Sequence, residues 1–379
     1  MTWVLALVAL GAAALGLVYL ALALVLVFRL ARLQTARSAS YPSVTVLKPL
    51  HGAEAGLFES LSSFCAQDYP GPVQIVCGVQ SAGDPAVTVV REVERAFPEL
   101  QLDLVVDPRQ HGSNRKVSNL INMAAEIRHD VVVLADSDMR VAPDYLRRLA
   151  GELARPGVGA VTCLYHGIPL GGVWSRLSAL SIDTHFLPSI AVGLGLGLAK
   201  PCFGSTIALT TATLEEICGF RAVADDLADD YELGAAVRRL GLDVVVPPFA
   251  IGHVCAELSF GDLFRQELRW IRTIRQIEPA GHAGSILAHP LPLALLALCL
   301  APGALTLASC GVAILARMAL CLAVERSFGL RRHSYWLVPA RDLLSFAVFV
   351  ASFFGRDVSW RGHSYGVTPR GVLIPKAEP

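Results

Sequence analysis

The chain has 379 residues, with 32 basic and 32 acidic side chains and no net charge. A balanced charge leaves no broad footprint for nucleic acid, so that class of partner is excluded. The length exceeds one typical core, and hydrophobic residues reach 54% with a mean hydropathy of +0.52, so a soluble domain joined to membrane segments is expected.

Residues 3–28 form an unbroken apolar run without charge, long enough to cross a bilayer core of about 30 Å. We read residues 1–30 as an N-terminal transmembrane helix. A signal peptide would carry its basic residues before a shorter apolar core. Here Arg29, Arg32 and Arg37 follow the run, which places the next segment in the cytoplasm by the positive-inside rule.

Residues 41–280 then read as a cytoplasmic domain. A β-branched strand over 41–50 ends at Lys48-Pro49, and Leu57, Leu61 and Phe64 have helical spacing. After the break at Gln67-Asp68-Tyr69-Pro70-Gly71, a second strand is predicted over 73–79. Asp84-Pro85 opens a helix over about 86–97, a third strand covers 102–106, and 119–127 is helical. Strands alternating with helices imply parallel βαβ units and a doubly wound α/β sheet. A Val-rich strand from Val131 runs directly into Asp136-Ser137-Asp138. Alternate residues of an extended segment point the same way, so both carboxylates can converge at the carboxyl end of the strand. Open α/β sheets bind ligands there, and two hard oxygen ligands suit Mg²⁺ or Mn²⁺. Alone, an Asp-x-Asp is more often a loop cap or solvated turn.

The stretch 186–199 is apolar and carries Gly193, Gly195 and Gly197. It does not lead from a strand into a phosphate-binding helix, so a dinucleotide fingerprint is rejected. Residues 185–200 read as an interfacial element dipping into a leaflet or as buried core. The segment Asp225-Asp226-Leu-Ala-Asp229-Asp230-Tyr231-Glu232 is either crowded enough to raise a carboxyl pKa or a solvated acidic helix start. Gln266 and Arg269 are three apart on one helical face, with Trp270 beside them.

Residues 285–355 read as C-terminal membrane helices. The run 286–324, broken by Pro290, Pro292 and Pro302-Gly303, holds two spans or one tight hairpin. Arg317 within it should face a bundle or an interface. Arg326, Arg331 and Arg332 again mark a cytoplasmic end. The run 336–354 contains Arg341 and Asp342, so it either spans with those charges paired or lies re-entrant. The tail, 356–379, is basic (Arg356, Arg361, Arg370, Lys376) and reads as cytoplasmic. Nine scattered cysteines without a Cys-x-x-Cys pair read as reduced and structural, and ten histidines form no zinc pattern.

Six motifs stand in one order: Val44-Thr-Val-Leu-Lys48-Pro49-Leu50, Gln67-Asp68-Tyr69-Pro70, Gly112-x-Asn114-x-Lys116-x-x-Asn119, Asp136-Ser-Asp138, Asp229-Asp230-Tyr231 and Gln266-x-x-Arg269-Trp270. In that order they resemble family 2-type glycosyltransferases, nearest to the ceramide glucosyltransferase branch (family 21) and its bacterial relatives of hopanoid biosynthesis. The likeness covers nearly the whole chain. It implies a GT-A-type doubly wound mixed sheet, flanked by N- and C-terminal transmembrane helices, binding a nucleotide sugar. By resemblance, Asp136 and Asp138 hold the cation and Asp84 sits with the nucleotide. Lys48 and Lys116 meet the diphosphate, and Asn119 belongs to the substrate-binding set. Asp230 is the base, and Gln266, Arg269 and Trp270 lie beside acceptor and diphosphate. His185 corresponds to a histidine lining the site of the ceramide enzymes. Read alone, Asp84 is a helix N-cap, Lys48 and Lys116 are solvated lysines, Asn114 and Asn119 are helix caps, and His185 is structural.

The expected activity is inverting transfer of one sugar, glucose or N-acetylglucosamine, from a UDP-sugar donor to the hydroxyl of a lipid acceptor, ceramide or a hopanoid polyol. The composition rich in Ala, Leu and Arg suggests a bacterial inner membrane. A processive polysaccharide synthase would need more spans for a secretion channel. A non-catalytic, lipid-binding membrane scaffold is the rival from another class.

Overall fold

The computed structural model describes residues 1–38, 40–355, 358–360, 363–368 and 371–375. Helix α1 (Thr2–Ala31) carries no charge before Arg29 and stays helical throughout. The domain begins with strand β1 (Val44–Pro49), helix α2 (Leu57–Cys65), β2 (Val73–Val79), α3 (Ala86–Ala96), β3 (Gln101–Val106) and α4 (Arg115–Met123). It continues through β4 (Val131–Leu134), the short β5 (Met139–Arg140), α5 (Tyr145–Leu153), β6 (Val158–Val161) and β7 (Leu164–Pro169). Helix α6 (Gly172–Ser181) joins α7 (Leu187–Gly195) through a π-helical turn, Ile182–Phe186. After β8 (Ile207–Thr210), α8 (Thr211–Glu216), α9 (Asp229–Arg239), β9 (Asp243–Val245) and β10 (Ala250–Cys255), the helices α10 (Phe260–Ile277) and α11 (Pro279–Gly284) lead out of the domain.

Seven strands form the main sheet in the order β3-β2-β1-β4-β8-β6-β9. The first four pair in parallel, as the βαβ reading predicts. Strand β8 enters antiparallel to both β4 and β6, so the sheet is mixed. Residue alternation sends Val44, Val46, Ile75, Val131 and Val133 into one apolar layer with Leu61 and Phe64 of α2 and Val90 and Val93 of α3. Leu47, Val76, Val132 and Leu134 point oppositely, towards Val117 and Leu120 of α4 and Leu233 and Val237 of α9. A second sheet, β5-β10-β7, stands at the carboxyl end of β4.

The remaining helices are α12 (Pro290–Leu300), α13 (Ala304–Phe328) and α14 (Val338–Ser352), followed by β11 (Val358–Trp360), β12 (His363–Val367) and β13 (Leu373–Pro375). Among the described residues, four helical segments could cross a membrane by length and composition: Thr2–Ala31, Gly172–Gly195, Ala304–Phe328 and Tyr335–Ser352. A bent pair, Pro279–Ala288 with Pro290–Leu300, meets at 62° and has the form of a broken span or a re-entrant loop. Helix α1 packs closely on this pair: a Cβ at Gly16 would stand 2.8 Å from the Leu287 carbonyl oxygen. The stretch 185–200 is largely helix, and Tyr19 of α1 meets Ser189 of α7 at 3.0 Å. Arg317 faces inward as predicted, and both it and Asp342 are 1% exposed, 2.9 Å apart. Arg341 makes a two-pronged bond to Glu267 of α10, with both distances 2.7 Å. His333, in the loop after α13, bridges Asp183 and Glu325 at 2.8 Å each. Cys321 lies beside that pair, a His/Cys/carboxylate grouping with no local sequence pattern. The tail residues Arg356, Arg361, Arg370 and Lys376 lie outside the described residues.

Candidate active site

Past Leu134 the chain leaves the sheet as a turn that both neighbouring strands anchor. The Asp136 amide donates to the Gly204 carbonyl at 3.1 Å, and the Val254 amide donates to the Asp138 carbonyl at 2.9 Å. Asp136 and Asp138 are each 35% exposed. Ser137 between them turns away and donates to Glu54 at 2.6 Å, the alternation expected of extended backbone.

Lys116 ties this turn to the acidic helix α9. Its Nζ is 2.7 Å from Asp136 Oδ1 and 3.4 Å from Asp229 Oδ2. Burial alone would lower its pKa, but Asp136, Asp229 and Asp230 together raise it, so the ammonium stays charged. Asn114 caps α4 by accepting from the Val117 amide at 3.1 Å, and its Nδ2 reaches the Asp226 carbonyl at 2.8 Å. The start of α4 and the start of α9 are thus held together.

Asp230 accepts from the Gly204 amide and from its own neighbour Tyr231, both at 2.8 Å. Burial and then the Asp229 charge push its carboxyl up to about 6, against the opposing pull of Lys116 and the two amides. A carboxylate near that value suits proton acceptance at neutral pH. Gly204 serves both carboxylates, and a Cβ there would stand 2.7 Å from Asp136 Oδ2 and 3.0 Å from Lys116 Nζ. A side chain there would push the Asp136 carboxylate or the Lys116 ammonium aside.

On the other side, β10 contributes His253, whose Nε2 is 3.3 Å from Asp138 Oδ2. Asp138 Oδ1 is buried with no hydrogen-bond partner among the described residues. Such an oxygen is costly unless something binds it. Two aspartates and an imidazole are hard-to-borderline donors that fit a divalent cation. Trp270 stands edge-on to His253 at 5.6 Å. Tyr165 on β7 stacks on Phe186 at 4.3 Å and lies 5.6 Å from His253. Burial, and then the charges of Asp230, Asp138 and Asp136, raise the Tyr165 pKa, so it remains a neutral phenol. Gln266, Arg269 and Trp270 lie together on α10.

Asp84 Oδ1 accepts from the Ala86 amide at the start of α3 and from the Gly52 amide, both at 2.9 Å. This bond also fixes the segment following β1. Three predicted residues have other places. Lys48 is fully buried, with its ammonium donating to the Asp136 carbonyl and standing 4.0 Å over the Phe64 ring. Burial lowers it to about 8; it supports the turn from beneath rather than facing a diphosphate. Asn119 is buried and donates to the Gly78 carbonyl at 2.7 Å, locking α4 to β2. His185 lies on the π-helical turn, 3.1 Å from Asp342 and stacked on His289 at 5.5 Å. It belongs to a polar network among the apolar helices, not to the carboxylate cluster. Gly204, His253 and Tyr165 went unread in the sequence because none sits in a local pattern.

The model of glycosyl transferase family 21 matches residues 1–373. Ceramide glucosyltransferase 1 of Caenorhabditis elegans is 23% identical over 61% of this chain and 49% of its own length. An N-acetylglucosaminyltransferase of Mesorhizobium japonicum is 26% identical over 62% of this chain and 56% of its own. The chain thus spans about half the length of these curated relatives. Among solved structures, the mannosyltransferase PcManGT of Pyrobaculum calidifontis, in complex with GDP-Man and Mn²⁺, superposes with a TM-score of 0.54 at 21% identity. It covers 93% of this chain and 99% of its own, and the shared architecture is the GT-A fold.

Proposed function

Because this chain belongs to glycosyl transferase family 21, we propose that it moves one hexose, glucose or N-acetylglucosamine, from a UDP-sugar to a lipid hydroxyl. The acceptor is a ceramide or a hopanoid polyol. The protein is an integral membrane protein of a bacterial inner membrane, with its catalytic domain on the cytoplasmic side, where Arg29 closes α1 and Arg32 and Arg37 follow it. The observation that carries this reading is the convergence of Asp136 and Asp230, from two distant segments, around Lys116 and Gly204, with Asp138 of the same turn against His253.

In this reading the acceptor oxygen attacks the anomeric carbon from the face opposite the nucleotide. The bond from that carbon to the diphosphate oxygen breaks, its electron pair leaves with UDP, and the configuration inverts. The acceptor proton passes to the Asp230 carboxylate, whose raised pKa matches the task. Asp136 and Asp138, with His253 beside them, would hold Mg²⁺ or Mn²⁺. When bound, the cation offsets the charge gathering on the departing diphosphate. Lys116 offers a fixed positive charge to the same oxygens, and Arg269 a planar fork. Gln266 and Trp270 position the acceptor, Trp270 as a flat wall. Asp84 orders the backbone beneath the nucleotide.

The test is transfer in isolated membranes supplied with radiolabelled UDP-glucose or UDP-N-acetylglucosamine and either lipid. One labelled product of single-sugar size is expected, and EDTA should abolish it. A ladder of longer products would replace this reading with a processive synthase, and no transfer to either lipid would overturn it.

A further inference from the structure

Helix α14 is apolar enough to pass as a membrane span, but its contacts argue otherwise. With the 3-10 turn before it, the helical segment Tyr335–Ser352 has 18 residues, about 27 Å, just short of a hydrocarbon core of about 30 Å, so the contacts decide. Its start is pinned to α10 by the two-pronged Arg341–Glu267 pair, both side chains buried. Its end is pinned to the same helix. Arg275 donates to the carbonyls of Ser352 and Gly355, and Arg272 to that of Phe354. The two helices therefore run side by side in the same direction over nearly the whole of α14. Helix α10 carries Asp262, Arg265, Glu267, Arg269, Arg272 and Arg275, and a helix so charged does not cross a bilayer.

The chain after α14 also returns to the catalytic domain. The Gln276 side chain donates to the Thr368 carbonyl, the Leu227 amide donates to Gly371, and the Leu373 amide donates to Asp225 at 2.8 Å. Tyr365, Val367 and Leu373 bury themselves against Leu227. Meanwhile Leu343 and Val350, seven apart on one side of α14, are exposed, as are Trp336 in the turn before it and Phe353 and Phe354 just after it.

We propose that α14 lies in the membrane plane, with these exposed side chains in the leaflet that faces the catalytic domain, and acts as a rail for α10. Glu267 and Arg341 are then positioning residues. They set the register in which Gln266, Arg269 and Trp270 meet the carboxylate cluster. The membrane crossings are α1, the broken pair ending in α12, and α13, so residues before and after α14 lie on one side.

The experiment uses the full chain with Arg332→Cys or Ile374→Cys, exposed sites flanking α14. A membrane-impermeant maleimide is applied to intact spheroplasts and to inverted inner-membrane vesicles, with the parent chain giving the background from Cys218 and Cys299 and detergent-solubilised protein giving full labelling. Both sites should label in inverted vesicles only. Labelling from opposite sides, or of both from outside, overturns the proposal. This readout is independent of any activity. A second arm rests on the proposed transfer reaction: Arg341→Lys, which keeps the charge but loses the fork, should lower kcat roughly tenfold through misplacement. The donor KM and the thermal midpoint should stay unchanged. An unchanged kcat, or a loss explained by unfolding, removes the positioning role.

Discussion

At the scale of single residues, the site is governed by how one carboxylate is balanced. Asp230 is pushed up to about 6 by burial and Asp229, and held back by Lys116 and two backbone amides. A general base works only when deprotonated, so kcat should climb with unit slope below about pH 6 and level off above it. Lys116 favours the charged form. Lys116→Met should therefore move this limb to higher pH while weakening diphosphate binding, which a pH–rate profile at saturating donor resolves. Asp230→Asn should lower kcat by about 10²–10⁴-fold with the fold retained. Gly204→Ala acts from the other side. Its added carbon would meet Asp136 Oδ2 and Lys116 Nζ, so the divalent cation concentration for half-maximal activity should rise about tenfold, as loss of a supporting contact does at other metal sites. An unchanged metal requirement would mean that Asp136 is not a ligand.

At the scale of elements, Asn114 decides how two helices meet. Its side chain caps α4 and also reaches the Asp226 carbonyl and Asp229. Asn114→Ala should cost about 1–2 kcal/mol, the worth of a cap plus a buried hydrogen bond. Because Lys116 stands two residues into the helix, activity should fall more than stability alone explains. Chemical denaturation alongside donor titration checks both parts. The first half of the domain was legible in the sequence for a physical reason. Short β-branched runs bounded by Asp, Pro and Gly alternate with helical spacings, and Asp136 and Asp138 sit at the end of the clearest run. The second half was not so legible. Strand β8 is four residues long and antiparallel, and residues 186–199, most of them in α7, read as an apolar stretch whose depth only packing decides. Lys48 looked solvated by its charge, yet strand alternation turns it inward onto Phe64. His253 and Gly204 acquire their roles only when β10 and the turn before β8 close on the carboxylates, and no local pattern carries that information.

At the scale of the whole molecule, the catalytic domain and the apolar helices are joined by ionised groups rather than by oil alone. Arg317 on α13 meets Asp342 on α14 at 2.9 Å, donates to the Thr184 carbonyl at 2.8 Å and also donates to that of Ala288. His185 reaches the same aspartate. The network thus fastens α13, α14, the π-helical turn and the segment before α12 at one point. Buried ion pairs are weak evidence for stability, because desolvation offsets attraction, but removing one partner strands the other. Arg317→Met should therefore destabilise by about 3–5 kcal/mol, leaving Asp342 charged and two carbonyls without a donor. The double replacement Arg317→Met with Asp342→Leu removes both charges, and its loss should be clearly smaller than the sum of the singles. Thermal unfolding in detergent measures all four corners of the cycle. If the network only stabilised, the double variant would recover activity along with the midpoint. If it also fixes α14 beneath α10, the midpoint returns while kcat stays low, and that divergence identifies the joint as part of how the membrane region holds the site in shape.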